Sequence, residues 1–502
     1  MTALVSLDAL TLGPVLAVAA GAALVLLLDV VAPRLRGAHF ALGAVSLTAG
    51  MALAVPGALG SESTPLRTLC LPAPVGACFY EAGPLASALQ LGALASALVV
   101  LLLVWPADRA QTTQLRGGPA VLVALVLSAT AGAAAVAAAH DLGSWLVALE
   151  LATLPAIALV ALRGTRSAGA GALSLLTTSL VSFAMVVLGA ALWLVASGTP
   201  VFSSGAVERA LRGEDTRAVL LLAVLLLVGG LGFKLSLVPF HAWTPQAYAG
   251  GTEPVAAFLA ATSKIAALAA LVVVLRPLSQ IGAPVLVAIG VLAALSMTVG
   301  NVLALVQDDP VRLLAWSTVA QAGWVILPLA TLSPEGLAAS GGYLLAYAVA
   351  TLVAFTVVTM VSAAAAPRDP RAPATQAAPH GRTLAAYRGL LRTRPLLGAA
   401  LGLALVSLAG LPPGVLGLVA KVVALRPVVG EGMWVLALVA VANAVIGVAV
   451  YLRWFAVLLQ EPEPTRGPVP RAGRGAVAAL TLTGTALVLT SVAPQLLLGL
   501  LA

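Results

Sequence analysis

Charge is scarce along these 502 residues: Asp, Glu, Lys and Arg together make up 9% of the chain, whereas 61% is hydrophobic. A soluble domain carries about 25% charged residues, so a soluble fold is excluded, and the mean hydropathy of +1.08 agrees. Cysteine is nearly missing. Cys70 and Cys78 are too few for the four thiolates that hold a typical iron–sulfur cluster. No Gly-rich phosphate loop follows a strand pattern, and no His/Glu group has metal-ligand spacing. If the chain serves a redox machine, the electrons travel elsewhere. The net charge of +8 forms no continuous basic stripe, which argues against a nucleic-acid partner. Lysine is the scarcest charge of all. Only Lys234, Lys264 and Lys421 occur among 26 basic residues, the rest being arginine.

What is abundant is the apolar run. Crossing a bilayer takes roughly 20 such residues, and runs of that order fall at 11–32, 38–58, 84–105, 119–139, 142–162, 168–197 and 217–239. The second half adds 254–275, 281–306, 314–332, 336–366, 396–425, 431–458 and 476–500. This pattern predicts an all-α integral membrane protein of about 14 transmembrane helices, with residues 1–502 as a single domain. The first span is expected to be retained: Asp8 stands where a cleaved signal would be positive. The polar segment from Pro367 to Pro395, containing His380, reads as a connector with a short amphipathic helix around Leu384 to Leu391.

Basic loops stay cytoplasmic. With the N-terminus outside, the inner loops hold Arg34, Arg36, Arg109, Arg116, Arg163, Arg166, Arg312, Arg368, Arg371, Arg382, Arg388, Arg392, Arg394, Arg466, Arg471 and Arg474. The outer loops hold only Arg67, Arg209, Arg212, Arg217, Arg276 and Arg426, with the in-span Arg453 left out. Both termini are therefore expected outside. The outer loop 59–83 then carries Cys70 and Cys78 in a compartment where a disulfide can persist. A disulfide and two unpaired residues both remain open.

All three lysines fall inside apolar runs, against the bias of a chain that otherwise uses arginine. Arginine stays protonated in proteins, whereas a buried lysine can release its proton. Lysine at these sites therefore suggests that deprotonation matters. Glu150, in LVALELATLPA, is the one acidic residue placed mid-span, and intramembrane ionisable residues are functional by default. Two lysines also sit near helix breakers. GGLGFKLSLVPFHAW surrounds Lys234, and LAGLPPGVLGLVAK leads to Lys421. Paired interruptions in two halves of a chain point to an inverted-repeat transporter. The bland readings are a structural ion pair for Glu150 and packing kinks for the prolines.

Four segments together resemble the antiporter-like subunits of respiratory complex I, the proton-translocating NADH-quinone oxidoreductase. They are LELATLP with Glu150, GFKLSLVPFHAWTPQAYAGGTEPVAAFLAATSKIAAL, QDDPVRLLAWSTVAQAGW and SLAGLPPGVLGLVAK. SKIAAL around Lys264, a lysine at 421 and the missing C-terminal extension lean toward the subunit N branch. The resemblance implies two inverted five-helix repeats with broken helices, about 119–275 and 281–458, and a connector near 367–395. It also implies a bacterial inner-membrane location and membrane partners that include further antiporter-like subunits. NADH, FMN, iron–sulfur clusters and quinone belong to partner subunits, with no cofactor or redox centre in this chain. By the same resemblance Glu150 faces a neighbouring subunit, Lys234 is its partner, Lys264 the central relay and Lys421 the residue near the exit. Gln246 and Gln321 depart from the family pattern, which favours aspartate and histidine there. A relay past Gln321 needs water, because an amide does not titrate near neutral pH. The alternatives are a subunit of a cation/proton antiporter or membrane-bound hydrogenase, a stand-alone proton-coupled transporter, and a scaffold.

Overall fold

In hydrocarbon every backbone N–H and C=O must be paired within its own segment, so an apolar run long enough to cross becomes a helix. The computed structural model describes residues 5–72, 76–105, 117–279, 286–365, 382–462 and 473–499. Thirteen helical segments among them are long and apolar enough to cross a membrane. They are built from α1 (Gly13–Val31), α2 (Arg36–Ala58), α3 (Pro84–Val104), α4 (Gly118–Ala138), α5 (Leu142–Ala161) and α6 (Arg166–Ser197). The short α7 (Ser204–Arg212) leads into α8 (Glu214–Leu235) and the half-helix α9 (Trp243–Gly250). Next, α10 (Glu253–Ala260) and α11 (Thr262–Ser279) join as one bent span. α12 (Leu286–Leu305), α13 (Pro310–Ile326) and α14 (Pro334–Ala365) follow.

The expected twelfth span, 396–425, is divided into α15 (Pro395–Ala409) and α16 (Val415–Gly430). Gly410 there takes a left-handed φ of 79°, and Pro412 and Pro413 offer no N–H to continue the ladder. The break beside Lys234 comes directly after α8, where Ser236 has a φ of 67°. Each break contains one cis X–Pro bond, Val238–Pro239 and Pro412–Pro413. α17 (Trp434–Leu459) and α18 (Arg474–Val492) end the bundle.

Two expectations need correction. The span placed at 476–500 stops at Val492, because Pro494 has no N–H to extend it, and Gln495–Leu498 form a separate turn. The amphipathic helix around Leu384 to Leu391 is instead a 3-10 turn, Leu384–Tyr387, and a helical turn, Leu390–Thr393. Gly389 separates them with a φ of 64°. The membrane-crossing bundle is all-α as expected, and the loop 59–83 outside it folds into a hairpin, β1 (Leu66–Cys70) and β2 (Cys78–Ala82). Cys70 pairs with Cys78 across it and a disulfide joins them. The hairpin also pairs with the N-terminal segment at Ser6 and with Ala139, after α4. The connector up to residue 381, with His380, lies outside the described residues, as do Arg109, Arg116, Arg368, Arg371, Arg466 and Arg471.

Two glycines set the spacing of the functional helices. A Cβ on Gly132 of α4 would run into the backbone at Ala152 of α5, and one on Gly300 of α12 into Ala320 of α13. Small residues at such crossings let helix backbones approach closely, the main packing device inside a bilayer. Both crossings fall beside a residue singled out by sequence: Ala152 is two residues from Glu150, and Ala320 adjoins Gln321. At the end opposite the hairpin, residues 382–394 strap the bundle. Arg382 pairs with Glu253 at 3.2 Å, and the Leu384 N–H donates to the Asp308 carbonyl at 2.8 Å.

Candidate functional site

The Asp141 carboxylate caps α5 by accepting from the N–H groups of Gly143 and Ser144 at 2.9 and 3.0 Å. That helix carries Glu150 at mid-length. Lys234, in the last turn of α8, reaches it: Nζ donates to Glu150 Oε1 at 3.1 Å and to Thr153 Oγ1 at 2.6 Å. Thr153 lies one turn beyond Glu150 on the same face, so the ammonium meets a charge and a hydroxyl together. A cavity of about 30 Å³, lined by Thr153, Phe233, Lys234, Trp243 and the buried, unpartnered Ser179 hydroxyl, adjoins the pair. It has room for about one water.

Lys264 is only 2% exposed and no carboxylate pairs with it among the described residues. Its ammonium donates to the Lys234 carbonyl at 2.7 Å and to Ser236 Oγ at 2.5 Å, and lies 4.5 Å from the centroid of the Trp243 ring. The helix ends at Leu235, where the Gly232 and Phe233 carbonyls accept from the Leu237 and Ser236 N–H groups and the Lys234 carbonyl receives the cation, and the helix dipole adds negative potential there. The break thus holds Lys264 through backbone oxygen. Ser236 in turn shares a hydrogen bond of 2.5 Å with Thr244 on α9.

The second break repeats this device. Lys421, 7% exposed on α16, donates to the Ala409 carbonyl at 2.6 Å and to the Leu408 carbonyl at 3.3 Å, both at the end of α15. Its ammonium lies 5.4 Å from the Trp324 ring. Gln321, one turn before Trp324 on α13, donates to the Tyr451 hydroxyl at 2.9 Å and accepts from Tyr343 at 2.5 Å. Gln246 is exposed on α9, away from these contacts. The residues expected from sequence therefore form two groups, Glu150–Lys234–Lys264 and Gln321–Lys421. Sequence reasoning missed Thr153, Ser236, Trp243, Trp324, Tyr343 and Tyr451. Helical spacing from Glu150 and Gln321 would have found Thr153 and Trp324.

Broken helices whose free carbonyls grip buried lysines, set in a bundle of membrane-crossing helices, define a multi-pass membrane protein built to handle charge at depth. Residues 139–447 match the family described as NADH:quinone oxidoreductase/Mrp antiporter, TM, and the chain belongs to that family. It is 36% identical to NADH-quinone oxidoreductase subunit N 2 of Streptomyces griseus, over 98% of this chain and 93% of that one. Among solved structures it is similar to a chain of respiratory complex I from Thermus thermophilus, at 30% identity and a TM-score of 0.77, covering 97% of this chain and 98% of that one. A chain of the Mrp complex from Dietzia sp. DQ12-45-1b has a TM-score of 0.80 over 98% and 96% of the two chains. At 21% identity it shows the fold alone.

Proposed function

We propose that this chain is a proton-translocating membrane subunit of a bacterial NADH-quinone oxidoreductase, of the subunit N type. The observation that carries the reading is the file that runs from the half-buried pair Glu150–Lys234 to the buried Lys264 at one helix break, with the buried Lys421 at the other. An opposite charge favours a protonated lysine and desolvation disfavours it. Moving Glu150 toward or away from Lys234 therefore alters the field at Lys264 and sets when it captures or releases a proton. Lys421 receives the proton near the exit. Electrons stay in partner subunits, which hold NADH, FMN, iron–sulfur clusters and quinone, and this chain carries no redox centre. Further antiporter-like subunits flank it in the inner membrane. The similarity to the Streptomyces subunit over nearly the whole chain favours this over a role in a cation/proton antiporter, which shares the fold at lower identity.

The two halves are read as inverted repeats, about 119–275 and 281–458. In support, α5 and α13 both start with a capping aspartate, Asp141 and Asp309. Each is also approached by a glycine of the preceding long helix, and each half contains one break. Both termini lie outside the cell in this reading. An impermeant reagent added to intact cells is then expected to label a C-terminal tag and not one inserted at Ala374, and the reverse pattern overturns the sidedness. The functional test is Lys264→Ala in the assembled complex. Proton uptake into sealed vesicles during NADH oxidation is expected to fall by about tenfold or more, as for the loss of a proton-transfer group. Undiminished uptake overturns the reading.

A further inference from the structure

The three lysines all stand at the two breaks, and a different cation serves the junction between α9 and α10. There α9 ends at Gly250 and α10 begins at Glu253, so two helix ends meet over Gly251 and Thr252. Carbonyls that end a helix attract cations, and the first turn of the next helix favours an acid. Two arginines from distant parts of the chain meet both demands. Arg163, in the loop after α5, donates through Nη1 to the Gly251 carbonyl at 3.0 Å. Arg382, in the strap, donates through Nη2 to the same carbonyl at 3.4 Å and through Nη1 to the Ala249 carbonyl at 2.9 Å. Its Nε reaches the Glu253 carboxylate at 3.2 Å, with the two side chains only 16% and 17% exposed.

Both helices that meet at this junction lead to Lys264. α9 starts with Trp243, whose ring lies 4.5 Å from the Lys264 ammonium and whose Nε1–H donates to the Phe233 carbonyl at 2.9 Å. Thr244, next to it, shares the 2.5 Å bond with Ser236. α10 continues into α11, where Lys264 is the third residue. Each short helix has eight residues, about 12 Å at the helical rise, and moves as a rigid piece over that length. A shift at Gly251 is therefore delivered to Lys264 from two sides, through Trp243 and Thr244 by α9 and through its own backbone by α10. The two arginines tie this point to different parts of the molecule. Arg163 follows the helix that carries Glu150. Arg382 belongs to the strap, which the Leu384 and Gly389 N–H groups fasten to the Asp308 and Val457 carbonyls of the second half at 2.8 and 3.3 Å.

We propose that Arg163 and Arg382 are positioning residues for proton transfer: their planar guanidinium forks clamp the α9–α10 junction from two sides and so set the seat of Lys264 over the first break. This rests on the function proposed above. Arginine suits the task because its fork meets several acceptors in fixed directions and stays charged, whereas lysine offers a single flexible ammonium. The clamp therefore holds still while the lysines it positions take up and release protons.

The test uses the complete complex in sealed vesicles, with proton uptake per NADH oxidised normalised to assembled complex and followed across pH. Arg163→Lys together with Arg382→Lys keeps both charges and removes both forks. This variant is expected to assemble, to lower uptake by about tenfold and to shift the pH profile by about one unit, the scale of one lost hydrogen bond to a charged group. A merely structural role would lower assembly and leave the profile of the assembled complex in place. Arg392→Ala, which removes a strap arginine whose partner Glu461 is exposed, is expected to pump as the parent does. If the double variant does not assemble, Arg163→Lys alone, which leaves Arg382 in place, carries the same readout. Parental uptake, or lowered uptake with an unshifted profile, overturns the clamp if Lys264→Ala has lost uptake. Parental uptake by Lys264→Ala overturns the underlying function instead.

Discussion

The two helix breaks hold their lysines alike and balance them differently. At both, an ammonium sits on the free carbonyls that end a helix and beside a tryptophan ring: Lys264 on the end of α8 and near Trp243, Lys421 on the end of α15 and near Trp324. Among the described residues, a lysine–carboxylate pair stands only beside the first break, Glu150 with Lys234. In the second half the nearby side chain is a neutral amide, Gln321. Carbonyls and a helix dipole are fixed partial charges, each weaker than a carboxylate. The second site therefore holds a cation with less electrostatic bias, while the first contains an element whose movement changes the field. In the function proposed above, the switching part falls to the first half, and the second half passes on what it receives.

Breaking the first half's distinction has the largest expected effect. Lys234→Ala leaves the half-buried Glu150 without its partner, which destabilises the fold, and assembly is expected to fall on native gels. Glu150→Gln together with Lys234→Met removes both charges. It is expected to restore assembly while uptake stays down by about tenfold, an added barrier near 1.4 kcal/mol. Recovery of uptake along with assembly would make the pair a packing device.

Making the second half resemble the first comes next. Gln321→Glu places a carboxylate near Lys421, and an opposite charge favours the protonated lysine. Proton release there is expected to slow, lowering uptake by about threefold, roughly 0.7 kcal/mol. Faster uptake would mean that capture, not release, limits the second half.

The smallest effect is expected far from both breaks, in the hairpin. The cysteines are eight residues apart in sequence, and closing so short a loop is worth about 2–3 kcal/mol. Cys78→Ser is expected to lower thermal stability and leave uptake near the parental level. In oxidised membranes Cys70 and Cys78 are expected to resist alkylation until reductant is added; labelling of both beforehand would remove the disulfide from the native state.

The spans were legible because hydrocarbon enforces helices wherever about 20 apolar residues run together. The breaks were legible because glycine and proline mark them. Lys234, Lys264 and Lys421 stood out against a chain rich in arginine, and Glu150 by its depth. The hairpin was not legible: its strands are five residues each, inside a loop whose register depends on pairing with Ser6 and Ala139. Nor was the way Lys264 is held, since its acceptors, the Lys234 carbonyl and Ser236, lie about thirty residues away and one of them is backbone. The tyrosines were missed because scarcity was weighed for charged residues only, although Tyr343 and Tyr347 stand one turn apart on a single helix.

The central claim is that the lysines at the breaks must release protons and not merely supply positive charge. Lys264→Arg separates the two directly, because arginine keeps the charge and stays protonated. In sealed vesicles, with uptake per NADH oxidised normalised to assembled complex, Lys264→Arg is expected to assemble and to lose most proton uptake, close to Lys264→Ala. Parental uptake by Lys264→Arg would contradict the relay and leave Lys264 as a fixed structural cation.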